Sequence, residues 1–343
     1  MAESTPAQHV VPHEGIIQVE DDSGSDYYSD GASDLTSLSS SVQNYVYENG
    51  RRYHSYREGK YVLPNDEKEM ERLDFVHHLS VPPLMRNAYK DDADVSHAIS
   101  RFMLTLHGDL YKSPLKNPQT VLDLGTGTGI WAIDMADVHA SASVVGNDLS
   151  PIQPKFVPPN CEFIVEDFEE DWSYPDNHFD FIHGRTLSGA VKDWKELLAT
   201  TYRHTKPGGW VEFHEGTIWA ESDDGSLKDD SRILTYLKLI REQSEKGGRS
   251  MNVVDNLGPW MSSLGFENVK VEIYKVPWGP WPKDARLKEI GKFQLCNMME
   301  AVSAYGLALL TRGAGYTQEE AEIFLALVRR EITNKSLHCY NKM

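Results

Sequence analysis

Cysteine is scarce. The 343 residues hold three, Cys161, Cys296 and Cys339, far apart and without a C-x-x-C pair. That fits a reducing compartment and offers no metal-binding motif, so no metal is expected. Long apolar runs are missing as well; no stretch approaches the ~20 residues that a membrane span needs. The N-terminus shows no basic region followed by an apolar one, so no secretory leader is expected. Cations are also short: 34 Lys and Arg stand against 52 Asp and Glu, a formal net charge of −18. Nucleic-acid affinity rests on Lys and Arg, so this balance argues against a surface that tracks phosphates. Arg51-Arg52 and Arg329-Arg330 are only pairs, not an import-type basic cluster.

The first 44 residues lack Lys and Arg altogether and carry eight of the acids, with Ser, Asp and Gly dominating from Asp21 to Ser41. Such a segment cannot bury enough apolar surface to offset chain entropy, so a disordered acidic tail is expected. A solvating role and a partner-binding role suit it equally.

What is present centres on Val121-Leu122-Asp123-Leu124-Gly125-Thr126-Gly127-Thr128-Gly129-Ile130. A short apolar run typical of a strand buried on both faces leads into alternating glycines. An apolar helix pattern follows through Trp131, Ile133 and Met135. Strand, glycine turn and helix open a nucleotide-type α/β unit. The spacing G-x-G-x-G is not the G-x-G-x-x-G of a pyrophosphate site, and Asp123, two residues before Gly125, would repel a phosphate. A ligand with a cationic end suits it better, and S-adenosylmethionine has an ammonium, a sulfonium and a ribose but no phosphate. The pattern resembles the first motif of the Rossmann-like methyltransferases.

Two further strand ends extend that reading. Ser143 to Asp148 runs apolar into an acid, and an acid at this position hydrogen-bonds ribose hydroxyls. The alternative for Asp148 is a cap on the following turn. Cys161 to Phe168 reads as a strand ending in Asp167-Phe168, where methyltransferases often hold the adenine. Its alternative is a solvated acidic turn, because Glu169, Glu170 and Asp171 continue the run.

Upstream, Tyr45 to His54 alternates aromatic and polar residues around Asn49-Gly50, which predicts a small hairpin. Asn65 is placed to cap a helix running to about Leu79, and a second helix is expected over Val95–Leu106. The Tyr45–Asp66 run and the Gly-Ile-Trp entry after the glycine loop resemble the fungal LaeA-like methyltransferases, a branch of the class I enzymes that use S-adenosylmethionine. The likeness extends from about Tyr45 to the C-terminus. Thr126 stands where many methyltransferases have Cys, a mild departure that leaves the loop intact. The resemblance implies a doubly covered, seven-stranded Rossmann-like α/β sheet with helical additions at both ends. It divides the chain into a tail (1–44), a hairpin and helical lid (45–111), a cofactor-binding core (112–276) and a C-terminal helical substrate cap (277–343). It implies methylation of a small molecule on oxygen or nitrogen in secondary metabolism. Its alternative is a nuclear regulator acting through a velvet-type protein partner. The expected location is the cytoplasm or the nucleus.

The cofactor residues are then Asp123, Gly125, Thr126, Gly127, Gly129, Asp148, Asp167 and Phe168. Phe179 to Arg185 reads as the fourth strand, with His183 and Arg185 near the transferred methyl. His183 is a candidate base, or else a structural His bonded to backbone. Lys206-Pro207-Gly208-Gly209 reads as a turn into the fifth strand, which ends in His214, a second candidate base, and Glu215, read as pocket lining. These two lack the H-E-x-x-H spacing of a zinc protease. Phe266 to Val276 is expected to close the sheet. Trp278, in a Pro-Trp turn, is a candidate substrate wall or a rigid surface corner, and Tyr53 and Arg185 are the other candidates for the acceptor side.

Overall fold

The computed structural model describes residues 45–54, 61–78 and 110–343. The 1–44 tail and the helix expected over Val95–Leu106 lie outside the described residues.

The central sheet is built from β3 (Thr120–Leu124), β4 (Ser143–Asp148), β5 (Cys161–Val165), β6 (Phe179–Arg185) and β7 (Thr205–His214). Their order is β5-β4-β3-β6-β7, and every pair is parallel. The order reverses between β3 and β6, so a crevice opens outside the carboxyl ends of those strands. The two faces bury separate cores. One packs Val121, Val144 and Phe181 against Trp131 and Met135 of α2 (Ile130–Val138). The other packs Leu122, Leu124 and Ile182 against Leu197 and Leu198 of α3 (Trp194–His204). Covering both faces is what lets β3 and β6 be apolar at consecutive positions. Asp193 caps α3 by accepting from the Lys195 and Glu196 amides. The expected Lys206–Gly209 turn is instead absorbed into β7, with a register shift between Phe179 and Phe181 and Gly208 at φ 81°.

Among the described residues the sheet has five strands, not seven. The expected closing strand over 266–276 does not join it. Val271 is 63% exposed and lies over Gly258 of α5 (Val254–Leu264). Only β8 (Lys275–Pro277) is extended and paired, and its antiparallel partner is β9 (Tyr340–Lys342). The C-terminal strand takes the backbone bonds that the sequence reading assigns to the sheet edge: Tyr274 and Met343 exchange N–H···O bonds, and the Trp278 amide donates to Cys339.

A third core joins α4 (Arg232–Lys246), α6 (Ala285–Arg312) and α7 (Gln318–Ile332) through Ile233, Leu237, Val302 and Leu325. Thr317 and Glu320 form the capping box of α7, and Gly265 ends α5 at φ 103°. At the other end, β1 (Val46–Glu48) and β2 (Arg51–Tyr53) pair across Asn49 and Gly50, which take φ 50° and 73° as a two-residue hairpin requires. Helix α1 (Glu67–His78) is capped by Asp66, whose Oδ1 accepts from the Glu69 amide at 3.0 Å, and not by Asn65. Asn65 is drawn away by Ser150, to whose Oγ its side-chain amide donates at 3.2 Å, and by Arg52, whose Nε donates to Asn65 Oδ1 at 3.2 Å. The Arg51–Asp66 ion pair at 2.5 Å fixes the hairpin on the start of α1. No helix among the described residues is long and apolar enough to cross a membrane.

Candidate active site at the carboxyl ends of the sheet

The glycine loop is held from below. The Gly125 amide donates to Asn147 Oδ1 at 3.2 Å, the Thr126 amide to the Asn147 carbonyl at 2.8 Å, and the Gly127 amide to Asp148 Oδ2 at 2.9 Å. Gly125, Gly127 and Gly129 take φ 58°, 60° and 83°, the left-handed region that favours glycine. Space around them differs sharply. A Cβ on Gly129 would fall 2.3 Å from the Phe163 ring, and one on Gly125 would fall 2.7 Å from Leu187. Among the described residues, one on Gly127 would meet only Leu73 of α1, at 3.7 Å. Gly129 is thus demanded by packing, whereas Gly127 lines open space beneath α1.

Asp148 stands at the end of β4, half-buried, its Oδ1 accepting from the Ser150 amide at 2.9 Å. Burial pushes its carboxyl up to about 6, against the opposing pull of the Ser150 and Gly127 amides. Asp167 is buried after β5 and accepts from the Glu169 amide at 3.1 Å; the Phe168 ring packs beside Leu187 under the loop.

Asp123 is committed inside the protein. Thr126 Oγ1 donates to its Oδ2 at 2.6 Å, and His183 Nδ1 lies 2.7 Å from its Oδ1. Parallel register sets this pair, because Asp123 of β3 lies beside His183 of β6. The His183 ring is 1% exposed and stacks on Trp131 at 3.8 Å. Burial pushes its pKa down, and the Asp123 bond opposes without cancelling it. His214 lies 2.6 Å from Glu212 Oε1, and Glu212 also accepts from the Lys112 and Ser113 amides and the Ser113 hydroxyl. Burial alone would raise the Glu212 pKa; the bonds from His214, Ser113 and Lys112 outweigh it and hold the carboxyl well below the usual range. Both histidines are therefore built into carboxylate pairs beneath the crevice. Arg185 is half-buried at the end of β6, where burial lowers its pKa. Tyr53 is buried against α6, with the Arg312 guanidinium 4.9 Å from its ring centre.

Beside the loop lies a cavity of about 130 Å³, shaped by the 186–188 turn, Glu215, α1, α4, α6 and β9. A void of about 150 Å³ accommodates one benzene ring, so this is a one-ring space. Leu237, Ile240, Met298 and Trp278 supply apolar wall, and among the described residues the charged side chains lining it are Arg72 and Glu215. Of the residues expected on the acceptor side, Trp278 reaches the cavity; Tyr53 and Arg185 are not among its lining residues. A polar seam crosses one wall. Arg72 donates to Asn297 at 3.0 Å, Asn297 to Gln294 at 3.2 Å, and Gln294 and Trp278 both to Asn341 Oδ1, at 3.3 and 2.8 Å. The sequence reading misses Arg72, Asn297 and Tyr305 here. For Arg72 the local signal is the aromatic and basic N-terminal segment; Asn297 and Tyr305, in α6, carry none.

Comparison with known proteins now decides the family. Residues 92–271 match the methyltransferase domain family. Methyltransferase pytC of Aspergillus terreus is 40% identical over 312 residues, covering 90% of this chain and 89% of pytC. The secondary metabolism regulator LAE1 of Cochliobolus heterostrophus is 33% identical over 307 residues, covering 88% and 92%. This chain is a LaeA-like methyltransferase. The protein-methionine methyltransferase laeA of Emericella nidulans is 32% identical over 300 residues, covering 86% of this methyltransferase and 73% of that relative. Among solved structures, phosphoethanolamine N-methyltransferase 2 of Haemonchus contortus with S-adenosyl-L-methionine is 20% identical, covers 67% of this chain and 49% of its own, and has a TM-score of 0.39. As a member of this methyltransferase family the chain takes S-adenosylmethionine as its cofactor, and the residues present fit it. The loop amides are taken by Asn147 and Asp148 rather than left for a phosphate, and a carboxylate flanks the open space above Gly127. When bound, the cofactor supplies a methyl group activated by a sulfonium.

Proposed function

We propose that this methyltransferase methylates, on oxygen or nitrogen, a small molecule whose reacting part sits in the one-ring cavity. The observation that carries the reading is the adjacency of cavity and loop: Leu187, between the lining residues Thr186 and Ser188, touches the position a Gly125 Cβ would take. Asp148 is the ribose acceptor in this reading, and Asp167 and Phe168 flank the adenine. Thr126 and Asp123 hold the loop in shape, with His183 as the buried partner that keeps Asp123 oriented rather than as a base. His214 does the same for Glu212, which anchors residues 112–113. Helix α1 roofs Gly127 through Leu73 and, with α6, keeps water from the reacting atoms, so that positioning and water exclusion supply most of the rate. Similarity to pytC favours this reading. A regulatory role through a velvet-type partner is the second, favoured by the 33% identity to LAE1, a secondary metabolism regulator. Screening cofactor-dependent methyl transfer against metabolite extracts separates them. Methylated small products support the first reading, whereas methylation confined to a co-purified protein sinks it.

Asp148 gives a direct check on the cofactor. A charge-assisted acceptor contributes roughly 1.5–3 kcal/mol, so Asp148→Ala should weaken S-adenosylmethionine binding by about tenfold or more. Below about pH 6 the wild-type carboxyl is protonated, so affinity should fall as pH drops through that value and stay flat in Asp148→Asn. Calorimetry that finds the Ala variant binding like wild type would reduce Asp148 to a turn cap.

A further inference from the structure

Among the described residues Glu215 is the one acidic side chain lining the acceptor cavity, and its hydrogen bonds come from neutral donors rather than from a cation. It is 4% exposed, directly beyond the end of β7. Oε1 accepts from the Leu187 amide at 2.6 Å; Oε2 accepts from the Ser188 amide at 3.1 Å and the Ser188 hydroxyl at 2.7 Å. Each carboxylate oxygen has two lone-pair sites, so Oε1 keeps one open. The donors come from the turn whose Leu187 leans on Gly125, which ties the carboxylate to the cofactor loop. The cavity's one guanidinium does not neutralise it. Arg72 is closed onto Glu69 by two bonds, 2.9 and 2.6 Å, and it also bonds Asn297 and Tyr305. A carboxylate buried with neutral donors and, among the described residues, no Lys or Arg partner costs free energy unless the ligand repays it.

We propose that Glu215 receives the proton of the methyl acceptor, and that the cavity selects a one-ring apolar body carrying a protic head group, O–H or N–H. This rests on the methyltransferase reading of the cavity given above. The step balances as follows. The acceptor X–H bond breaks and its proton goes to Glu215 Oε1. The freed X lone pair forms the bond to the methyl carbon. The carbon–sulfur bond breaks, leaving its pair on a neutral thioether, and Glu215 later returns the proton to solvent. Burial pushes the Glu215 carboxyl up to about 7, against the Ser188 and Leu187 donors, which matches its proton affinity to neutral pH. The ionisable groups facing it are His214 next in the chain, Arg72 with Glu69 from α1, Tyr236 from α4 and Tyr305 from α6.

The test is calorimetry on the full chain saturated with S-adenosylhomocysteine. The probes are 4-methylphenol, 4-methylaniline and 4-methylanisole, which share a ring and differ in the donor. Wild type should hold one protic probe about tenfold or more tighter than the ether, and which one separates oxygen from nitrogen acceptors. Glu215→Gln should erase that preference while S-adenosylhomocysteine affinity stays within about twofold. If Glu215→Gln melts too early to measure, Ser188→Ala, which removes one donor to Oε2, should shift the preference by about threefold or more. Equal binding of all three probes by wild type, failure of both protic probes to bind, or an undiminished preference in the variants would overturn the proposal. Loss of S-adenosylhomocysteine binding by wild type would instead sink the methyltransferase reading beneath it.

Discussion

Gly127→Val should abolish S-adenosylmethionine binding, with at least about a 100-fold loss of affinity, and leave the fold standing. The physical reason lies in what surrounds the position. Gly127 takes φ 60°, where a β-branched side chain is strained, and its amide donates to Asp148. Among the described residues the nearest side-chain atom to an added Cβ is Leu73 Cδ1 at 3.7 Å, so the valine methyls would point away from the packed core. Gly129→Val is the contrast. Its Cβ would fall 2.3 Å from Phe163, inside a packed face of the sheet, so it should cost stability first. Calorimetry and thermal melting on both variants separate the two effects. Retained cofactor affinity in Gly127→Val would place the cofactor elsewhere.

Arg72→Ala should destabilise the protein by roughly 3–5 kcal/mol, because it strands a buried charge. Glu69 is 1% exposed and takes both its ionic bonds from Arg72. The substitution also removes the donor to Asn297 and the cation near the Tyr305 ring, 5.7 Å from its centre, which loosens α1 from α6. The double variant Glu69→Gln/Arg72→Met removes both charges and should cost far less than Arg72→Ala alone. Urea unfolding monitored without cofactor reads the difference. An Arg72→Ala variant within about 1 kcal/mol of wild type would show that Glu69 finds water or another partner.

The glycine loop, the Asn49-Gly50 hairpin, the Gly265 stop and the Thr317–Glu320 capping box are all legible in the sequence, because each is fixed by residues within a few positions of one another. The apolar runs of β3 and β6 likewise announce strands buried on both faces. The two candidate bases were not resolved that way. His183 meets Asp123 across a parallel register, and His214 meets a Glu212 that also holds residues 112–113. Nothing local distinguishes such a histidine from one facing substrate. The closing strand fails for the same reason: period-two alternation over Val269, Val271 and Ile273 specifies an extended segment but not its neighbour, and the C-terminal strand β9 claims the adjoining backbone. The cavity is the extreme case. Arg72, Glu215, Asn297 and Asn341 line one space although they are distant in the chain. The sequence alone determined the cofactor loop and the class of fold, because backbone conformation and hydrophobic period are local properties. The tertiary structure decided which carboxylate lines the cavity. Whether an acid is paired or available depends on neighbours that only strand register and helix docking bring within hydrogen-bonding distance.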